Sequence, residues 1–510
     1  MPECYIIGVD IGTTSTKSVL FKEDGTIVSQ HQIAYPLYSP TAAIAEQNPD
    51  EIYAAVIGTI KAAVSRSGVS PAHIGCVSFS SAMHSLIAVD GSGAPLTASI
   101  TWADNRSLAW AVKLKEEWGG NGIYARTGTP IHPMSPLSKL IWLRNEHEEL
   151  FRRTYKFVSI KEYIWHKLFN RWVVDYSIAT ATGLFHLEKL AWDEEALTVA
   201  GIQAERLSAP VPTTYTWRGL DDRQASELGL LPDTPFVIGA SDGVLSNLGV
   251  GAIHEGTAAL TIGTSGAIRA VVSRPATDPL GRTFCYALTE DRFAIGGAVN
   301  NGGIVLRWLR DMFSTDNADS ADGYDELTAL AASVKPGADG LLFHPYLAGE
   351  RAPLWDGDAR GSYYGLGLHH GKGHLVRAAM EGVLLNLREV LDVLEELNGR
   401  PSRIIATGGF ARSGLWRQMA ADIFNREVLY PQSMESSCLG AAMLGLYSIG
   451  RLETLEAAAR LIGKCDACVP IKEHAGRYEE LLAIYKAVGS KLKDEHGAIA
   501  ALQRRWSEPL

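Results

Sequence analysis

The segment Asp10-Ile11-Gly12-Thr13-Thr14-Ser15-Thr16-Lys17 lies between two apolar, β-branched runs, Tyr5–Val9 and Lys17–Lys22. A second segment of the same kind, Ile262-Gly263-Thr264-Ser265-Gly266-Ala267, lies between Ala259-Leu260-Thr261 and Ile268–Val272. A strand–turn–strand unit that returns in the second half of a chain points to two related domains. Two unrelated hairpins would read the same at this length, and the pattern alone leaves both open. The length of 510 residues agrees with more than one core.

Around these turns the pattern is α/β. Asp24-Gly25 supplies a hairpin turn before a third strand near Thr26–Ala34. Asn48-Pro49-Asp50-Glu51 reads as an N-cap, a proline in the first turn and acidic first-turn residues, with Ile52, Val56, Ile60, Ala63 and Val64 at helical spacing behind them. Ile74–Ser80 is a further short strand, and strands alternating with helices build one α/β unit. The second half continues with a helix after Gly302-Gly303, a helix near His374–Leu397, a strand over Arg403–Thr407 that ends at Gly408-Gly409, and a helix near Tyr478–Lys493. The polar stretch Ser314–Gly323 is expected to be a surface loop.

Charge and composition remove several functional classes. The formal net charge of −10 repels nucleic-acid phosphates and anionic lipid, so neither nucleic acid nor membrane is expected as a partner. No apolar window is long enough to span a bilayer, and Met1–Val9 carries no basic segment or cleavage site, so a cytoplasmic protein is expected. The six cysteines are too scattered for a disulfide framework. Cys465-Asp466-Ala467-Cys468 has redox or zinc spacing without the second pair that a metal site needs, and it is given no role.

Glycine turns flanked by Thr and Ser suit phosphate, because the backbone can approach closely and N–H and hydroxyl donors face anionic oxygens. The same hydroxyls could equally satisfy a tight hairpin. Neither the Walker spacing nor G-x-G-x-x-G after a strand occurs, so an ATP site here belongs to another class. Asp10 and Asp242 each end an apolar strand beside a glycine turn. Such a carboxylate can hold hydrated Mg²⁺, take a proton from a hydroxyl, or simply cap its turn.

These residues resemble the FGGY carbohydrate kinases of the sugar kinase, Hsp70 and actin superfamily. Asp10–Lys17 looks like the family's first phosphate loop and Gly263–Ala267 like its second. Met134-Ser135-Pro136-Leu137-Ser138-Lys139-Leu140-Ile141-Trp142-Leu143-Arg144-Asn145-Glu146 fits one family signature, and Gly361-Ser362-Tyr363-Tyr364-Gly365-Leu366 with His374-Leu375 and Ala378-Ala379-Met380-Glu381 fits the other. Leu347-Ala348-Gly349-Glu350-Arg351-Ala352-Pro353 and Thr407-Gly408-Gly409 match family patterns too. The resemblance implies an α/β fold of two ribonuclease H-like domains flanking an ATP and sugar cleft. A sugar-binding domain over 1–250, a nucleotide-binding domain over 251–450 and a helical tail over 451–510 are expected. It implies MgATP-dependent phosphorylation of a sugar, polyol or sugar acid, with Asp242 as the general base and Asp10 beside Mg²⁺ and the γ-phosphate. Gly12, Thr13, Thr14 and Lys17 in the first loop, and Gly263, Thr264 and Ser265 in the second, fall where relatives hold phosphates. Gly303, Arg307, Gly408, Gly409 and Ser413 fall where they hold the nucleotide. The family also makes a homodimer a partner to test for, with nothing local to decide it.

The substrate is read from Phe79-Ser80-Ser81-Ala82-Met83-His84-Ser85 and Thr101-Trp102-Ala103-Asp104-Asn105-Arg106, which look like the gluconate kinase branch. Xylulose kinases usually show Gln-Met-His-Gly where this chain has Ala-Met-His-Ser, and xylulose is the alternative substrate. Met83, His84, Asp104, Arg106, His132 and Asp242 are the expected sugar contacts. A sugar acid calls for a fixed donor or cation in its site, for which His84, Arg106 and His132 are the candidates. Arg106 could instead pair with Asp104, and His132 could only border the Pro133 turn.

Overall fold

The unbroken apolar run at the N-terminus forms β1 (Tyr5–Ile11), buried along almost its whole length. That is the pattern of a strand covered on both faces. The computed structural model describes residues 3–313, 322–432 and 435–507. The chain divides into two compact units, each assembled from segments distant in sequence.

The first unit comprises Met1–His254, Val271–Ile295 and Glu435–Gly463. After β1 the chain turns into β2 (Ser15–Lys22) and β3 (Ile27–Ala34), paired antiparallel. Helix α1 (Pro49–Ser67) packs on β2 and β3. It starts where Asn48 accepts the Asp50 N–H and stops at Gly68, whose φ of 67° is left-handed. Strand β4 (Ile74–Ser81) joins β1 in parallel. Three helices follow that matter below: α2 (Pro136–Glu146), α3 (Ile160–Phe169) and the short α4 (Tyr176–Thr180). The sheet is completed by β5 (Thr216–Trp217) and β6 (Phe236–Ser241), giving the order β5-β6-β4-β1-β2-β3, and β6 runs into α5 (Asp242–Gly249).

The pairing of β4 with β6 slips between Val237 and Ala240, a β-bulge. Gly239 makes it feasible: its φ is +72°, and a Cβ there would lie 1.7 Å from the Phe79 carbonyl oxygen.

The second unit comprises Glu255–Ala270, Gly296–Met434 and Lys464–Leu510. Strands β7 (Thr257–Ile262) and β8 (Gly266–Val272) form the antiparallel pair around the second Gly-Thr-Ser turn. Helices α6 (Gly303–Phe313), α7 (Asp322–Ala332) and α8 (Lys372–Asn398) follow. Then β9 (Arg403–Thr407) pairs in parallel with β7, α9 (Gly414–Phe424) follows, and β10 (Glu427–Pro431) pairs in parallel with β9. Both units thus share one plan: the strand before the Gly-Thr-Ser turn is antiparallel to the strand after it and parallel to one from later in the chain.

The chain then returns to the first unit as α10 (Ser436–Ser448), which packs on β1, β4 and α5. It ends in the second unit with β11 (Cys465–Cys468) and the long α11 (Lys472–Ser507). The tail is therefore more than the short helix expected: the Cys-x-x-Cys segment is an edge strand antiparallel to β10, and the helix starts earlier and ends later than Tyr478–Lys493. Of the expected loop Ser314–Gly323, residues 314–321 lie outside the described residues, while Asp322 and Gly323 already belong to α7. Among the described residues no helix is long and apolar enough to cross a membrane.

Candidate active site

In the first unit, register brings the two aspartates to one edge of the sheet. Asp10 is paired with Ser80 across β1 and β4, and Ser80 with Ala240 across β4 and β6, so Asp10 and the residue after β6 sit at the same strand ends. This carboxyl edge of parallel strands is where α/β sheets place ligands. The Ser80 hydroxyl donates to Asp10 Oδ1 at 2.7 Å. Asp242 opens α5, where a carboxylate is favoured by the helix dipole, and its Oδ1 accepts the Gly243 N–H at 2.6 Å. Burial first, and the charge of Asp242 second, push the Asp10 carboxyl up to about 6. Among the described residues no three His, Cys, Asp or Glu side chains cluster as a metal cage. A lone strand-end carboxylate with a second nearby fits Mg²⁺, which keeps most of its waters and shares phosphate oxygens.

The first Gly-Thr-Ser turn is held by its neighbours through its carbonyls. The Tyr35 hydroxyl donates to Gly12 O at 2.6 Å, Gln47 Nε2 to Thr13 O at 2.6 Å and Tyr35 N–H to Thr14 O at 3.2 Å. Trp102 Nε1 donates to Thr13 Oγ1 at 2.9 Å. Thr14 is exposed at the tip. Lys17, expected near phosphate, places its ammonium 2.9 and 3.0 Å from the two Glu435 carboxylate oxygens. Glu435 had no signal in the sequence, because 418 positions separate it from Lys17.

Backbone from three segments that carry or border expected sugar contacts converges on the buried Lys139 of α2. Its ammonium donates to the carbonyls of His84 (2.6 Å), Thr101 (2.7 Å) and Met134 (2.9 Å). Burial pulls this ammonium down to about 7. His84 has a φ of 69°, unusual for a non-glycine residue. Its Nδ1 lies 2.7 Å from Ala181 O, so Nδ1 carries a proton. Met83 packs against a small apolar cluster of Val174, Ile178, Ala179 and Phe185. His132 Nδ1 accepts the Met134 N–H at 3.1 Å, which puts the proton of a neutral ring on Nε2. Asp104 is 1% exposed and accepts from Ala45 N–H at 3.0 Å. Arg106 is held by Asp104 at 2.8 Å and by Glu46, with its guanidinium over the Trp142 ring. The pairing with Asp104 left open by the sequence is present, and two carboxylates already balance the Arg106 charge.

The second unit contains a cavity of about 630 Å³ lined by Gly263, Thr264, Gly303, Arg307, Gly409 and Ser413, with Leu306, Tyr324, Phe410 and Trp416 as its apolar part. Ser265 and Gly408 stand behind this lining. Ser265 O accepts the Gly263 N–H at 2.9 Å, and Gly408, at φ 107°, would place a Cβ 2.2 Å from Ile262 O. Gly303 N–H donates to Gly263 O at 2.7 Å, which locks the second turn onto the first turn of α6. Ser413 caps α9 by accepting from Trp416 N–H. Glycines that let a ligand approach the backbone closely on one side, beside the Thr264 hydroxyl, and apolar rings on the other suit a ligand with both phosphate and a flat base.

Comparison with known proteins agrees with both halves. Residues 5–249 match the model of the FGGY family of carbohydrate kinases, N-terminal domain, and residues 258–449 its C-terminal domain. The chain is 54% identical over 510 residues to the gluconokinase of Bacillus licheniformis, covering 99% of each. The crystal structure of a gluconate kinase from Lactobacillus acidophilus superposes with a TM-score of 0.93 at 36% identity, covering 98% of this chain and 100% of that one. A ligand-bound xylulose kinase from the same organism gives 0.92 at 37%, covering 97% and 99%.

Proposed function

Since the chain belongs to the FGGY family of carbohydrate kinases, we propose that it is a gluconate kinase that transfers the γ-phosphoryl group of ATP to the 6-hydroxyl of D-gluconate, giving 6-phospho-D-gluconate and ADP. The observation that carries the substrate is the 54% identity to a gluconokinase along the full chain, against 29% to the xylulose kinase of Bacillus subtilis.

The first unit supplies the sugar and proton chemistry. Asp242, at the N-terminus of α5, accepts the proton of the attacking hydroxyl. Met83, His84, Asp104 and His132 form the sugar wall. The Nε2–H of His132 meets the substrate carboxylate, because Arg106 is already balanced by Asp104 and Glu46 and the Nδ1–H of His84 is donated to Ala181 O. In the second unit, Gly263, Thr264 and Gly303 hold phosphates while Arg307, Gly409 and Ser413 line the nucleoside cavity. Mg²⁺, when bound, neutralises phosphate charge, and Asp10 is the residue that would hold it. Such transfer needs positioning and charge balance more than covalent chemistry, and glycine turns pinned by their neighbours provide the positioning.

The test is ADP release with MgATP and D-gluconate, D-xylulose, L-ribulose, glycerol or no sugar. A turnover preference for gluconate of about tenfold or more, the size one charged hydrogen bond supplies, is expected. A preference for D-xylulose would overturn the substrate while leaving the kinase reading in place.

A further inference from the structure

The backbone just before Asp242 is held in an unusual way. The bulge at Gly239 sets two residues of β6, Ile238 and Gly239, against Phe79 alone on β4, so this stretch leaves the regular ladder. Lys161 of α3, 2% exposed, fills the gap: its ammonium donates to Ala240 O at 3.0 Å and Ile238 O at 3.3 Å. The same ammonium lies 2.6 Å from Asp175 Oδ2, and neither side chain is more than 3% exposed. Asp175 in turn caps α4 by accepting the Ile178 N–H at 3.0 Å. From α4, Ser177 Oγ donates to Ser241 Oγ at 3.0 Å and accepts the Ser241 N–H at 3.1 Å. The two residues before Asp242 are thus clamped from one side by Lys161 and from the other by Ser177, with Asp175 joining the clamps.

We propose that Lys161 and Asp175 are a positioning pair for Asp242, fixing the end of β6 from which the base projects. This rests on Asp242 being the general base. A buried ion pair is costly to desolvate and weak as a source of stability, so apolar residues would hold these elements together as well. What apolar residues cannot supply is a donor for the Ile238 and Ala240 carbonyls that flank Gly239 at the bulge.

The experiment measures kcat and both KM values for Lys161→Met, Asp242→Asn and the double variant, with MgATP and D-gluconate. A residue that acts through another loses its effect once that other is gone. Lys161→Met should lower kcat about 10–100-fold, the size expected for a misplaced catalytic group, with both KM values within about threefold of the wild type. The double variant should match Asp242→Asn within about threefold. A kcat for Lys161→Met within threefold of the wild type, or losses that multiply in the double variant, would overturn the proposal. If thermal unfolding shows that Lys161→Met does not fold, Lys161→Met/Asp175→Leu removes both buried charges and is held to the same criteria. Wild-type turnover in Asp242→Asn would remove the base assignment itself, and this inference with it, whatever Lys161→Met does.

Discussion

Replacing Gly440 by Ala should damage catalysis more than stability. Helices α5 and α10 cross backbone to backbone at two glycines: a Cβ on Gly440 would lie 1.9 Å from Leu245 O, and one on Gly249 would lie 1.9 Å from Ser436 O. A carbon and a carbonyl oxygen approach comfortably to about 3.3 Å, so the helices must separate by about 1.4 Å, and no flexible side chain can absorb it. Overpacking of this kind costs about 1–3 kcal/mol, and alanine in place of helical glycine returns about 0.8–1 kcal/mol. The net loss is therefore about 0–2 kcal/mol, a few degrees in Tm for a unit of this size. The same displacement acts on α5, whose first residue is Asp242, and a 1 Å misplacement of a reacting group costs about 10²-fold. Steady-state kinetics and thermal unfolding are measured together, with Gly476→Ala as control. Gly476 sits in α11 with nothing within 4 Å of an added Cβ, so that change should leave kcat alone and raise Tm slightly. Gly440→Ala with wild-type kcat would refute the claim that this crossing sets the position of Asp242.

Asp242→Asn should lower kcat roughly 10²–10⁴-fold with an unchanged circular dichroism spectrum, the share expected of a general base. Asp10 is held at about 6, and the role proposed for it beside Mg²⁺ requires the carboxylate, so kcat/KM should fall about tenfold per pH unit below that value. The Ser80 hydrogen bond holds Asp10 down, so Ser80→Ala should move this limb to higher pH; a limb that stays put would unseat Asp10 as the titrating group. His344, buried with its Nε2 3.1 Å from Tyr485 O in α11, is held down to about 4. The unfolded chain takes up this proton below about 6.5 and the folded chain only near 4, so stability should fall by about 3 kcal/mol as pH drops across that window. Urea titrations at pH 7 and pH 4.5, repeated with His344→Gln, should show a smaller difference in the variant.

The parts legible in the sequence are those with a local physical cause. The runs around Asp10 and Asp242, the Asn48 cap of α1 and the Gly408 turn each follow from residues within a few positions of one another, and the elements fall where they were expected. The Glu435 partner of Lys17 and the Asp175 partner of Lys161 depend on how distant segments meet, which periodicity does not carry. Lys139 stood inside a signature segment, yet only burial against three carbonyls reveals why a lysine is there. Arg106 illustrates a third limit: its pairing with Asp104 could be anticipated from spacing, whereas the second carboxylate, Glu46, came from a separate strand.

Helix α10 covers β1 so closely that a Cβ on Gly8 would lie 2.0 Å from Cys438 O. On the ribosome this seam is closed only when a segment far along the chain from β1 emerges. At about 5–20 residues per second, β1 and β4 wait on the order of tens of seconds for α10, with one apolar face uncovered. A nascent chain of this protein therefore carries an unfinished first core until α10 appears. Truncation before Ser436 should yield an aggregating product rather than an isolated first unit.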